Sequence, residues 1–87
     1  MEIKIDVKHR NENLQRLRKE AGLSQSQLAN LTGLNVQVLQ QYERGARDLN
    51  GAKLATLLKI CNALGCRLAD IITDEETQEQ LKEYTGQ

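Results

Sequence analysis

Apolar and polar residues alternate along the first ten positions of the chain. Ile3, Ile5 and Val7 fall on one face of an extended segment, and the residues between them are charged. A period of two residues predicts a β-strand. Because a single strand is not stable alone, residues 1–10 are predicted either to pair with their counterpart in a second subunit or to form a loose arm.

Beyond residue 10, apolar residues recur every three or four positions, which is the period of a helix. Leu14, Leu17 and Ala21 predict a first helix near residues 12–21, and Gly22 follows as a stop signal. The period therefore changes from strand to helix at the start of this segment.

Two short helices joined by a tight turn are predicted next. Ser24, with a glutamine three positions later, forms a capping box that opens a second helix ending at Gly33. Asn35 is the predicted cap of a third helix, which closes at Arg44 and Gly45. The residues predicted to lie on the exposed face of the third helix are Val36, Gln37, Gln40 and Gln41.

The helical pattern continues to about residue 72. A loop over residues 45–50 leads to a fourth helix, whose apolar positions begin at Leu54 and which stops at Gly65. Residues 67–72 can form one more short helix. The fold class predicted from these elements is all-α.

The charge of the chain is divided between a basic body and an acidic tail. The formal net charge is zero, but residues 1–73 carry 11 Lys and Arg against 7 Asp and Glu, whereas residues 74–87 carry 1 against 5. Thr73 with Glu76 predicts a capping box at the start of the tail, over residues 73–87, which is expected to be helical in part and weakly packed.

Length and composition limit what the chain can be. With 87 residues, 39% hydrophobic, 28% charged and no proline, one compact domain is expected. No signal peptide and no membrane span is predicted, so a cytoplasmic location is the expectation. An enzyme is not expected, because no catalytic group of residues and no phosphate-binding glycine pattern can be found.

The cysteines and the histidine do not have the spacing of a metal site, and no cofactor is expected. Cys61 and Cys66 lie five positions apart, and His9 lies far upstream. A redox pair stays open as an alternative. Cysteine is commonly a small buried hydrophobic residue, so a structural role for the two thiols is favoured.

The turn between the second and third helices carries the functional signal. Ala29 is small where the two helices would approach most closely, Gly33 can adopt a positive φ, and Leu39 would hold the third helix on the core. The offsets of four and six residues between these positions are typical of a helix-turn-helix.

A larger set of residues has the order and spacing of one known family. These residues are Asn13, Leu14, Leu17, Arg18, Gly22, Leu23, Ser24, Gln25, Leu28, Ala29, Gly33, Leu34, Leu39, Tyr42, Glu43, Arg44, Gly45, Ile60, Leu64, Gly65 and Leu68. Through them, over about residues 11–72, the chain resembles the Cro and repressor-type (XRE-like) helix-turn-helix family. The resemblance implies a five-helix lambda-repressor-like bundle that binds double-stranded DNA with its third helix in the major groove.

Base contacts are predicted on the exposed face of the third helix. Gln37 and Gln41 each carry a donor and an acceptor on one amide, which suits adenine, and Gln40 could add a further contact. Val36 occupies a family position for base contact and would suit a thymine methyl group. A merely soluble face would explain the glutamines, but it would not explain exposed valines at Val36 and Val38.

Phosphate contacts are predicted at the ends of the two helices, where backbone amides and basic side chains flank the groove. Gln25 and Asn35 stand at helix starts, and Arg44 and Arg47 bracket the exit from the third helix. For Arg47, an ordinary solvated side chain is equally well supported. Asp48 puts an acidic residue near the expected phosphate track.

Arg18 and Glu43 stand where the family has an arginine and a glutamate that pair between the first and third helices. The resemblance therefore implies a structural ion pair that holds the third helix to the body. Because the segment between Gly22 and Asn50 carries no net charge, electrostatic affinity for DNA is expected to be modest, and a homodimer on two half-sites would compensate.

The function predicted from the sequence is sequence-specific binding of double-stranded DNA by a transcriptional regulator, most simply a repressor. The alternative is an antitoxin-type or other protein-interaction module, whose acidic tail would bind a basic partner. A tail that masks the basic surface of its own chain is a further alternative.

Overall fold

The computed structural model describes residues 11–86, and these residues form helices and turns without a strand. The strand or arm predicted over residues 1–10 lies outside the described residues. Within them, the predicted helix order is confirmed. The helices are α1 (Glu12–Glu20), α2 (Gln25–Thr32), α3 (Val36–Glu43), α4 (Leu54–Leu64), α5 (Leu68–Ile71) and α6 (Glu75–Thr85).

The caps of α2 and α3 are those that the sequence predicts. The Ser24 hydroxyl accepts a hydrogen bond from the backbone N–H of Gln27 at 3.0 Å, and the Gln27 side-chain oxygen accepts one from the Ser24 N–H at 2.8 Å. The Asn35 side chain accepts from the N–H of Gln37 at 2.7 Å. These caps define where the two helices begin, because they provide acceptors for backbone N–H groups of the first turn that have no partner within the helix.

The turn between α2 and α3 depends on the backbone conformation of Gly33. Its φ of 73° lies in the left-handed region, which L-residues with a side chain rarely adopt. A Cβ atom added there would meet no other atom within 4 Å. The requirement for glycine is therefore conformational and does not come from lack of space.

Helices α1 to α5 enclose one aliphatic core. α2 packs against both α3 and α4, and α1 packs against α3 and α5. Because apolar positions at helical spacing face inward from each element, the core contains a residue from nearly every one. The largest fully buried side chains are Leu14, Leu28, Leu39, Leu49, Ile60 and Ile71.

The segment predicted as a plain loop over residues 45–50 is more ordered than expected. It ends in one turn of 3₁₀ helix, Leu49–Gly51, in which Leu49 is buried in the core. The Asp48 carboxylate accepts from the N–H of Asn50 at 3.0 Å, so this acidic group faces its own turn. Asn50 in turn donates to the Thr73 hydroxyl at 2.9 Å and joins the turn to the end of α5.

Helix α6 contains most of the acidic tail, but its cap differs from the prediction. Asp74, and not Thr73, is the N-cap, and its carboxylate accepts from the N–H of Thr77 at 3.0 Å. Thr73 and Asp74 are both good capping residues one position apart, which explains the error of one residue. α6 packs on α5, where the Gln78 side chain donates to the backbone carbonyls of Ala69 and Ile72.

The expectation of a weakly packed tail is confirmed, because α6 has no buried residue. Within residues 11–86, the glutamates of α6 form no ion pair with the basic body of the domain. The described helices also include none that combines the length and apolar character needed to cross a membrane.

Candidate nucleic-acid interface

An ion pair joins α1 to the end of α3. Arg18 donates through Nε to Oε2 of Glu43 at 2.7 Å and through Nη2 to Oε1 at 3.0 Å, and its Nη1 donates to the Leu23 carbonyl at 2.7 Å. The two side chains are only 9% and 3% exposed. Hydrogen bonding to Glu43 raises the pKa of Arg18, against the opposing effect of burial. This two-point contact fixes both the position and the rotation of α3 relative to the body.

Gln25, the first residue of α2, connects Glu43 of the ion pair to Gln40 on the outer face of α3. Its Nε2 donates to Oε1 of Glu43 at 3.1 Å, and its Oε1 accepts from Nε2 of Gln40 at 3.2 Å. The side chain predicted to contact phosphate is therefore already engaged on both sides. At this first position of α2, backbone N–H groups also have no acceptor within the helix.

The three glutamines of α3 lie toward its outer side, but they differ in their contacts. Gln37 and Gln40 are exposed and Gln41 is half-buried. Within the described residues, the Gln37 side chain has no hydrogen-bond partner. Gln37 is therefore the glutamine whose amide is free at both its donor and its acceptor.

The prediction of exposed valines on α3 was wrong. Val36 and Val38 are half-buried and pack against the core next to Leu39. The apolar stripe of a helix that packs against two neighbours is wide, so it buries residues adjacent to the central position as well. Val38 therefore no longer supports a role of α3 in base contact. For Val36, only the exposed part of the side chain still supports it.

Arg47 folds back over the end of α3. Its Nε donates to Oε1 of Gln41 at 3.1 Å, and its guanidinium carbon lies 5.9 Å from the centre of the Tyr42 ring. The backbone N–H groups of Ala46 and Arg47 both donate to the Gln41 carbonyl, at 2.9 and 3.2 Å. Arg44 is exposed, and its side chain has no hydrogen-bond or ion-pair partner in the described part of the chain.

Asn11 is a structural residue that the sequence analysis did not identify. It is 3% exposed, and its Nδ2 donates to the carbonyls of Tyr42 at 2.8 Å and Arg47 at 2.7 Å. Its Oδ1 accepts from the N–H of Leu49 at 3.4 Å. An asparagine before a helix predicts a cap, but Asn11 makes no side-chain cap and instead ties the start of α1 to the exit of α3.

The two cysteines have the environment of structural thiols. Cys61 is buried in the core, and its pKa is raised to about 12, first by burial and then by the neighbouring Cys66. Burial also raises the pKa of Cys66. In residues 11–86 no group of three His, Cys, Asp or Glu side chains is arranged to hold a metal ion.

We expect Cys61 to resist alkylation in the folded protein. A raised pKa lowers the fraction of thiolate, the reactive form, at every pH below it. At pH 8 the reaction of Cys61 with iodoacetamide should be about a hundredfold or more slower than in the unfolded chain. Mass spectrometry of the Cys66→Ser variant, with and without urea, measures the ratio, and similar rates in both states would contradict the structural role.

Comparisons with known proteins agree with this geometry. A sequence model of the Cro/C1-type helix-turn-helix DNA-binding domain matches residues 13–77. The structure is also similar to that of the restriction-modification controller protein C.AhdI from Aeromonas hydrophila. That alignment has a TM-score of 0.63 and 34% sequence identity, and it covers 71% of this chain and 89% of the other. No curated protein matches the chain.

Proposed function

The chain belongs to the Cro/C1-type helix-turn-helix DNA-binding family, and from this we propose that it is a sequence-specific repressor that reads DNA with α3 in the major groove. A role as a DNA-binding transcriptional regulator follows from the family. The observation that carries the finer proposal is the glutamine-rich outer face of α3, held to the body by the Arg18–Glu43 pair. Similarity to a protein named as a controller supports a regulatory role.

Base readout is assigned to the outer face of α3. A free glutamine amide can donate to N7 and accept from N6 of adenine, and Gln37 has such an amide. Gln40 and Gln41 flank the same face one turn further along the helix. The exposed part of Val36 at the start of α3 suits a thymine methyl group.

Phosphate contacts are assigned to the ends of α2 and α3. Asn35 and Gln25 would contribute backbone N–H groups at the helix starts, where the helix dipole favours an anion. Arg44, whose side chain has no partner among residues 11–86, would contribute a cation at the exit of α3. The Nη atoms of Arg47 remain available while its Nε contacts Gln41. With so few cations at the groove, we propose a homodimer on two half-sites about one helical turn apart.

Gln37→Ala should weaken binding to the specific site roughly five- to a hundredfold and leave the fold unchanged, because the side chain is exposed and without a partner. The site is obtained by selecting bound duplexes from a random pool, and fluorescence anisotropy at fixed salt measures the affinity. Gln80→Ala, which removes an exposed glutamine of α6, is the matched control and should bind like the wild type. If Gln37→Ala and Gln41→Ala both bind like the wild type, the assignment of α3 as the reading helix is wrong.

A further inference from the structure

The three glutamines of α3 are chemically identical, but their neighbours make them unequal. Gln41 accepts a hydrogen bond from Arg47, Gln40 donates one to Gln25, and Gln37 makes neither. A glutamine amide has an oxygen with two lone pairs and an NH₂ group with two N–H donors, so a neighbour that takes up one of these sites leaves the amide with more free sites of the other kind. The contacts around α3 therefore determine which sites of each amide remain free.

The orientation of the Gln41 amide is determined by the chemistry of Arg47. A guanidinium has only donors, so the Gln41 atom that faces Arg47 Nε at 3.1 Å must be the oxygen. The amide is planar, and its NH₂ group then points away from Arg47. Gln41 is left with two free N–H donors, and one of the two lone pairs on its oxygen is already taken by Arg47.

The orientation of the Gln40 amide is determined by Glu43, through Gln25. The Glu43 carboxylate accepts from Arg18 and from Nε2 of Gln25, which turns the Gln25 oxygen toward Gln40. Gln40 must therefore donate at that contact, 3.2 Å away, and its own oxygen is left free. Gln40 thus has one N–H taken and Gln41 has one lone pair taken, so the two adjacent amides differ in their balance of free donors and acceptors, and this difference depends on charged residues outside the reading face.

Arg47 itself is held on several sides. Its backbone N–H donates to the Gln41 carbonyl, and its backbone carbonyl accepts from Asn11 at 2.7 Å. The guanidinium lies near the ring of Tyr42, a buried residue of the core. The donor that orients Gln41 is therefore supplied by a loop that is fixed before any DNA is present.

We propose that Arg47 is a positioning residue that turns the NH₂ group of Gln41 toward the bound DNA, so that Gln41 selects a base with acceptors on its major-groove edge. Guanine presents two acceptors, O6 and N7, and fits best, whereas the edge of cytosine presents a donor. Adenine needs both halves of a glutamine amide and is disfavoured, because it would have to share the Gln41 oxygen with Arg47 and accept the orientation that Arg47 sets. The inference rests on the proposed function, because it names the base that the same reading face selects.

Arg47→Met tests the inference, because methionine keeps much of the side-chain length and removes every donor. At the base pair read by Gln41, the preference should shift from guanine toward adenine, with the affinity ratio changing roughly fivefold or more. Arg44→Met is the matched control, since it removes an exposed cation at the exit of α3 that has no contact with Gln41. It should weaken binding to all sequences alike and lower the salt slope by about one. Circular dichroism checks that both variants fold.

The Gln41→Ala background separates positioning from simple loss of charge. In that background, Arg47→Met should no longer change the base preference at any position, although it still lowers the affinity overall. If Arg47→Met in the otherwise wild-type chain weakens all four base pairs equally, or changes nothing, the inference is overturned and the proposed function stands. If the wild type selects no sequence from the random pool, the proposed function fails as well.

Discussion

Glu43→Ala should lower the free energy of unfolding by about 3–5 kcal/mol, because it leaves the Arg18 guanidinium buried without a counter-charge. The loss is expected to be large since Glu43 is only 3% exposed and accepts hydrogen bonds from both Arg18 and Gln25. An arginine guanidinium stays charged without a partner, so the loss should be the same throughout the neutral pH range. Urea unfolding followed by circular dichroism measures it.

Two further variants separate the loss of a buried charge partner from the loss of an ordinary ion pair. Arg16→Ala breaks the ion pair between Arg16 and Glu20, whose side chains are 54% and 59% exposed, and should cost no more than about 1 kcal/mol. Arg18→Met combined with Glu43→Leu removes both buried charges and should be more stable than Glu43→Ala alone. A Glu43→Ala chain as stable as Arg16→Ala would show that the buried pair does not hold α3 in place.

The second large effect is expected at Leu39. This side chain of α3 is completely buried, so Leu39→Ala removes apolar contacts and leaves a cavity between α3 and the body. We expect a loss of about 2–5 kcal/mol in the free energy of unfolding, the range typical of buried leucines. Leu39→Ala should also weaken DNA binding, because α3, which carries the three glutamines, would no longer be held in one position on the body.

Leu31→Ala is the matched control for Leu39→Ala. Leu31 belongs to the neighbouring helix α2, but its side chain is 62% exposed, and the same substitution should change stability by less than about 0.5 kcal/mol. Differential scanning calorimetry of both variants checks the prediction. Equal losses at the two positions would contradict the description of Leu39 as the residue that anchors α3.

The sequence predicted those parts of the fold that depend on local rules. The capping box of Ser24 and the positive φ at Gly33 each depend on a few consecutive residues, and both are present in the structure. Helical spacing also identified Leu39 as a core residue. These features could be read from the sequence because their physical causes act within one turn of helix.

Features that depend on distant residues could not be predicted. Asn50 contacts Thr73, 23 positions away, and Gln25 contacts Gln40, 15 positions away. A polar side chain gives no sign of which distant backbone or amide group it will meet. For the same reason, the half-buried state of Val36 could not be derived, since it depends on how closely α2 and the core approach α3.

The amide of Asn11 also has a consequence for the order of folding. Helices form from local contacts within about a microsecond, whereas Asn11 can reach the Arg47 carbonyl, 36 residues away, only after α1 and α3 have come together. The segment that carries Arg47 is therefore expected to order late in folding, because its contact with Asn11 joins residues far apart in the chain. The contact between Arg47 and Gln41, on which our inference rests, would then form in a late folding step, after α3 itself has formed.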